Sequence, residues 1–148
     1  MSWRVIVMIA LLFASCKTST ESELRHVDLG SFTIEIPKIW KTDIPDDQED
    51  SFVGRIIGPK LILSFDCSDM GYASDLKDID TSSHHIQIDS TNKYIIKTIY
   101  PKKAGKGMTG IYLKSRSSSF DFQMNGVDLS VENEQRALKA FKTITFKK

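Results

Sequence analysis

The sequence is poor in the features that usually reveal a function. Its charges nearly cancel, with 20 basic and 19 acidic side chains, so the basic surface that nucleic-acid binding requires is missing. No apolar run approaches the roughly 20 residues of a membrane-spanning helix. The sequence contains neither a Gly-x-Ser-x-Gly motif nor a phosphate-binding loop. We therefore expect no nucleic-acid partner. Neither a catalytic constellation nor a cofactor site is recognisable in the sequence.

Cysteine is also scarce, with 2 in the whole chain, and the first of them marks a processing site. Arg4 precedes ten apolar residues at 5–14, and Ser15 and Cys16 follow, which is the layout of a secretory signal. Residues 12–16 resemble a bacterial lipobox, although Phe13 stands where most lipoboxes carry leucine. We predict cleavage before Cys16 and lipid attachment (palmitate) at Cys16; the alternative is an ordinary signal peptide with an incidental cysteine.

Lipidation predicts where the protein works and how it is organised. Two or more acyl chains hold a protein stably at a bilayer. Lys17 occupies the position where an aspartate would retain a lipoprotein in the inner membrane, so the resemblance to lipoprotein sorting favours the outer membrane of the cell envelope. Residues 1–15 form the signal peptide, the polar residues 16–26 a flexible tether, and residues 27–148 a single domain. Without Arg4, the mature chain has 20 − 1 = 19 basic and 19 acidic residues.

Most of the mature chain has the alternation of β-strands. Apolar and polar residues alternate at 32–36, and Pro37 ends that strand. The patterns predict hairpins of 52–57 with 61–66 and of 108–114 with 119–124. They also predict strands at 84–89 and 94–100, with a turn at 90–92 between them. In the last strand Phe122 and Met124 are expected on one face, and Asp121 and Gln123 on the other. The Asn125-Gly126 dipeptide predicts a turn.

The C-terminal part changes to helical character. Ser130 can cap a helix that runs to about Phe141, with Glu132 and Arg136 one turn apart. Residues 143–146 return to strand, and residues 72–80 suggest another short helix. The predicted fold is therefore α+β, an antiparallel β-sheet of six to eight strands with one or two helices packed on it.

The two ends of the domain resemble those of a known family. Residues 32–40 and 137–146 are similar to the ends of PsbP-like domains, and residues 50–66 are similar to bacterial members. These domains are α/β/α sandwiches found in photosystem extrinsic subunits and in small bacterial envelope lipoproteins. The resemblance implies a PsbP-like sandwich and a non-catalytic accessory or binding domain. No functional residues carry over, because the matching positions belong to core and turns.

Four features of the sequence are candidates for chemical sites. His84 and His85 are neighbours in a predicted strand, so their side chains point to opposite faces and cannot chelate one metal together. The acidic residues at 43–50 lack the glycine turn of a calcium loop. Residues 102–109 form a basic hairpin connection, with a weak anionic-lipid contact as the alternative. Cys67 lies between acidic residues at a strand end and is expected to be half-buried and unreactive. No metal site is predicted.

These observations favour a membrane-tethered binding or accessory module that holds a protein partner or a small ligand. Two alternatives stay open. One is an immunity-type or inhibitor lipoprotein with a tight, stoichiometric partner. The other is an envelope hydrolase that uses carboxylates, which a cluster of Asp or Glu with raised pKa values in a cleft would favour.

Overall fold

The computed structural model describes residues 23–147. The predicted signal peptide, the lipid-attachment residue Cys16 and most of the predicted tether lie outside the described residues. The chain forms ten strands and one helix within the described part. Their bounds are β1 Leu24–Asp28, β2 Phe32–Pro37, β3 Lys41–Asp43, β4 Phe52–Gly58, β5 Leu61–Ser68, β6 His84–Ser90, β7 Tyr94–Pro101, β8 Met108–Ser115, β9 Asp121–Val127, α1 Val131–Phe141 and β10 Thr145–Phe146.

The strands form two antiparallel sheets. The larger sheet has 7 strands in the order β3-β4-β5-β9-β8-β7-β6, and the smaller has 3 in the order β1-β2-β10. Successive hairpins build most of the large sheet, and the pairing of β5 with β9 joins its two halves. The antiparallel sheet, with its single helix, confirms the predicted α+β class. The strand total exceeds the predicted six to eight because a second sheet is present.

The core lies between the two sheets. We call the face of the large sheet that is covered by α1 and the small sheet its inner face. Phe32 and Ile34 of β2 are fully buried there, together with Phe122 and Met124 of β9. The ring centroid of Phe32 lies 5.2 Å from that of Phe65 and 5.0 Å from that of Phe122, both in edge-to-face geometry. The alternation of β2 therefore fixes the contact between the sheets.

The helix is built as its sequence predicts. The Ser130 hydroxyl accepts a hydrogen bond from the Asn133 N–H and caps the first turn. The Arg136 guanidinium pairs with the Glu132 carboxylate at 2.7 Å, one turn apart. Ala137 and Phe141 are buried, and the helix packs against β8 and β2. The helix therefore covers the inner face only as far as β8.

Two local predictions are wrong. Asn125 and Gly126 lie inside β9 and do not form a turn. A side chain at residue 126 would come within 2.9 Å of the Ile62 carbonyl oxygen, so glycine is needed here for close packing. The reversal comes at Asp128, which has a φ of 53° and accepts the Gly107 N–H at 2.7 Å through its carboxylate.

The helix suggested at 72–80 is also absent, and this segment forms bends and turns. Leu76 has a φ of 55°, in the left-handed region that interrupts a helix. The carboxylate of Asp75 accepts the Lys77 N–H, and that of Asp80 accepts the Ser82 N–H. These local hydrogen bonds satisfy backbone N–H groups that would otherwise bond within a helix.

The folded part begins earlier than predicted, at Leu24 instead of Val27. The residues from Leu24 pair with β2, and the Arg25 guanidinium donates to the Trp40 carbonyl oxygen at 2.8 Å. Only Val27 of β1 is buried, so this polar edge strand has little of the alternation that identifies strands in a sequence.

Candidate functional site

An apolar cavity of about 470 Å³ lies on the inner face, beyond the edge of the helix. We call it the β7 cavity, because β7 forms the middle of its floor, with β6 and β8 on either side. It exists because the large sheet is wider than the layer that covers it. The helix packs on β8, so the inner face of β7 and β6 extends past it. This uncovered part of the inner face leaves an open space beside the helix.

Most of the floor and of the inner wall of the β7 cavity is apolar. Six aliphatic or aromatic side chains from β7, β8, α1 and the segment after α1 line it; they are Ile96, Ile111, Leu113, Leu138, Phe141 and Ile144. They continue the main core outwards, since all six belong to it or pack against it. The cavity is therefore an unfilled extension of a well-packed core.

Polar residues form the rest of the lining. Gln87 and Asp89 of β6 form one wall, and the Gln87 amide donates to the Asp89 carboxylate at 2.8 Å. Thr98 and Tyr100 of β7 and Lys142 after α1 complete the lining. A mostly apolar lining with a few polar groups is the usual composition of a small-molecule binding site.

A second, polar cavity of about 470 Å³ lies on the opposite, outer face of the large sheet. Asp121, Tyr112 and Lys114 line it together with the segment 71–77. Asp121 is only 3 % exposed. Its carboxylate accepts the Ala73 N–H at 3.1 Å and the Tyr112 hydroxyl at 3.4 Å. Alternation placed Asp121 on this outer face, but the sequence did not indicate that the segment 71–77 would cover it.

Burial changes the titration of this pair. Loss of water contact raises the pKa of the Asp121 carboxyl above its usual value, and the nearby Asp66 charge adds to the rise, while the bonds from Ala73 and Tyr112 oppose it. Burial, followed by the charges of Asp121 and Asp75, raises the pKa of the Tyr112 phenol to about 12. The charged form of Asp121 is therefore costly in the folded protein.

Asp121→Asn is expected to make the domain at least as stable as the wild type at pH 7. Asparagine keeps an oxygen that accepts the Ala73 N–H and removes the buried charge. A raised folded-state pKa means that the wild type gains stability as the pH falls, so the advantage of the variant should vanish towards the roughly 3.9 of an unfolded aspartate. Urea unfolding at several pH values measures this difference.

The control for this substitution is Asp47→Asn, which changes an exposed loop aspartate. We expect its effect to stay within about 0.5 kcal/mol at every pH. A loss of more than about 1 kcal/mol at pH 7 for Asp121→Asn, with the control unchanged, would show that the buried charge is stabilising and would contradict this account.

The two neighbouring histidines diverge as the alternation predicts. Nε2 of His84 accepts the Met108 N–H at 3.0 Å, and its Nδ1 lies 2.9 Å from the Ser83 hydroxyl. The His85 ring lies on the other face, with its centroid 4.9 Å from that of Tyr100. His84 thus holds the loop before β8 through its hydrogen bond to Met108, and His85 flanks one end of the β7 cavity.

The charged loops are held by their own side chains. In the acidic segment, Gln48 bonds to the backbone of Val53 in both directions, and Arg55 pairs with Asp43 at 2.6 Å. The basic connection after β7 is closed by two bonds between Gly107 and Asp128. Among residues 23–147, no group of three or more His, Cys, Asp or Glu side chains is arranged to hold a metal ion.

Cys67 is more deeply buried than predicted, with 6 % of its surface exposed. Burial, with added repulsion from Asp69 and Asp66, raises the pKa of its thiol to about 12. A thiol that stays protonated at neutral pH is a poor nucleophile, which agrees with the prediction of an unreactive residue.

Sequence reasoning missed the β7 cavity, since its residues were assigned to core and strands. Within residues 23–147, no helix combines the length and the apolar composition of a membrane span. No protein-family model matches the chain, and no curated protein matches it significantly.

Proposed function

We propose that the chain is an envelope lipoprotein, anchored in the outer membrane through a lipid on Cys16, which works as a non-catalytic binding module. Its ligand is a small apolar molecule that enters the β7 cavity. The observation that carries this proposal is the composition of that cavity. Six of its eleven lining residues are apolar, and these six continue the main core.

The architecture of the cavity supports binding for two reasons. Its floor is made of paired strands and its wall is a capped helix, so a ligand needs little reorganisation of the protein and loses little affinity to ordering. Its interior also continues the main hydrophobic core. Apolar surface on a ligand would be removed from water there, which is worth roughly 25 cal/mol per Å² buried.

The test is titration with N-phenyl-1-naphthylamine (NPN), an uncharged dye whose fluorescence increases in apolar surroundings. The protein is the full mature chain with Cys16→Ala, so that no lipid competes. Thr98 lines the cavity from β7, and Thr98→Phe should fill part of it while keeping a residue suited to a strand. We expect saturable binding to the parent and at least tenfold weaker binding to Thr98→Phe.

Ile95→Phe is the matched control, because Ile95 lies in the same strand, is partly exposed and does not line the cavity. It should bind NPN as the parent does. Equal binding by Thr98→Phe and Ile95→Phe, or no saturable binding by the parent, would overturn the proposal.

A second candidate, an envelope hydrolase, is favoured by one observation. Asp121 is a buried carboxyl with a raised pKa in a polar cavity beside Tyr112, and perturbed carboxyls often mark catalytic sites. The other carboxylate of that cavity, Asp75, is paired with Lys77 at 2.7 Å. A working acid–base pair would need Asp75 released, so this candidate ranks below the binding module.

A further inference from the structure

The β7 cavity has a neighbour on the same face of the sheet. A second opening of about 490 Å³ adjoins it on the inner face and shares Ile96, Leu113 and Ile144 with it. The first contains Tyr100 and the second Tyr94, which lie six residues apart on β7. At about 3.3 Å per residue, the two openings, which we together call the groove, extend along the strand for about 20 Å.

The two ends of this groove differ in charge. The Tyr100 end is the β7 cavity described above. The Tyr94 end is lined by the cations Lys93 and Lys147 and by the hydroxyls of Ser115, Ser117 and Thr145. Arg116 is exposed beside it, and its backbone N–H donates to the Lys93 carbonyl oxygen at 2.9 Å. Cations and hydroxyl donors together make this end suitable for an anion.

Acidic groups near the groove oppose part of that positive charge. The Asp28 carboxylate pairs with Lys147, and the Asp89 carboxylate accepts the Gln87 amide on the β6 wall. Lys93 is exposed, and among residues 23–147 it forms no ion pair with a carboxylate. Lys93 is therefore the cation of the Tyr94 end that is best placed to meet an incoming negative charge.

We infer that the groove binds an amphiphile with one extended apolar chain and an anionic head, with the chain in the β7 cavity and the head beside Lys93. This inference rests on the proposed function. Half of the roughly 30 Å hydrocarbon core of a bilayer, about 15 Å, is the depth that one acyl chain spans. A groove of about 20 Å accommodates such a chain together with its head group. A fatty carboxylate and a monoacyl phosphate share this chemistry.

The experiment compares cis-parinaric acid, a fluorescent fatty acid, with its uncharged methyl ester on the full mature chain with Cys16→Ala. We expect the acid to bind about tenfold more tightly than the ester at low salt. Lys93→Gln should weaken binding of the acid about three- to tenfold and leave the ester unchanged. The matched control Lys103→Gln removes an exposed cation of the loop after β7, outside the groove, and should leave both unchanged.

Competition identifies the head group. Displacement of parinaric acid by oleate or by a monoacyl phosphate, but not by methyl oleate, supports the inference and names the preferred anion. Equal binding of acid and ester, or equal loss in Lys93→Gln and Lys103→Gln, would overturn it. If NPN still binds in that case, the proposed function stands and only the anionic ligand is wrong; if NPN also fails to bind, both fall.

Discussion

Replacing Cys16 by alanine is expected to move the protein from the membrane fraction to the soluble fraction of the envelope. Residues 1–15 are exchanged for a conventional secretory signal at the same time, so that cleavage does not depend on the cysteine. Two acyl chains bury many methylenes in the bilayer, and each methylene contributes about 0.8 kcal/mol. Without these chains, we expect almost all of the protein to leave the membrane fraction. Fractionation and intact-mass spectrometry of the mature protein measure the distribution and the lipid.

Cys67→Ala, behind the native signal, is the matched control for this experiment. Cys67 is buried in β5, so its replacement should leave both the lipid and the membrane association unchanged. Membrane association of the Cys16→Ala protein at the level of the native protein would contradict the lipid anchor, and so would a mature mass without acyl chains in the native protein.

Phe32→Ala is expected to reduce the free energy of unfolding by about 3–5 kcal/mol. Phe32 is fully buried, and its ring meets those of Phe65, Phe122 and Phe146. Its removal leaves a hole between the two sheets that paired strands on both sides cannot easily close. With a urea dependence of about 2 kcal/mol per M, the unfolding midpoint should fall by about 2 M.

The comparison for Phe32→Ala is Ile62→Ala, which truncates a side chain on the outer face that is 51 % exposed. It should cost less than about 1 kcal/mol, because little buried surface is lost. A cost below 1 kcal/mol for Phe32→Ala would mean that the two sheets do not pack through this ring, and the fold described here would need revision.

The parts of the fold that sequence reasoning predicted are those with strong local signals. Alternation identified β2, and turn residues identified the hairpins, because side-chain direction in a strand repeats every two residues. The cap at Ser130 and the Glu132–Arg136 pair identified α1, since both are contacts within one or two turns of helix. In each case the information lay within a few residues of the element.

The second sheet could not be predicted in this way, because it depends on distant pairings. Thr145 of β10 pairs with Thr33 of β2, more than a hundred residues away along the chain. The hydroxyl of Thr143 likewise accepts the Glu35 N–H at 2.8 Å. Short or polar strands such as β1 and β10 carry little local pattern, and only their partner defines them.

The candidate site was unpredictable for a related reason. The β7 cavity combines Gln87 of β6 with Leu138 of α1, and it exists because the helix stops covering the sheet at β8. How far one layer covers another depends on the widths of both layers, and the residue pattern of a single strand does not carry this information. One feature of the sequence does indicate the polar wall of the cavity. Gln87 and Asp89 alternate with Ile86 and Ile88, which indicated a strand with a polar face beside the core.

The most direct test of the central claim is to locate NPN on the protein. In the same titration followed by NMR, we expect the largest amide shift changes in the floor of the β7 cavity, at Ile96, Thr98 and Leu113. The apolar residues Ile62 and Val127, which line a cavity of about 600 Å³ on the outer face, should change little. Shift changes concentrated on the outer face, or spread evenly over the molecule, would contradict the claim that this cavity is the binding site.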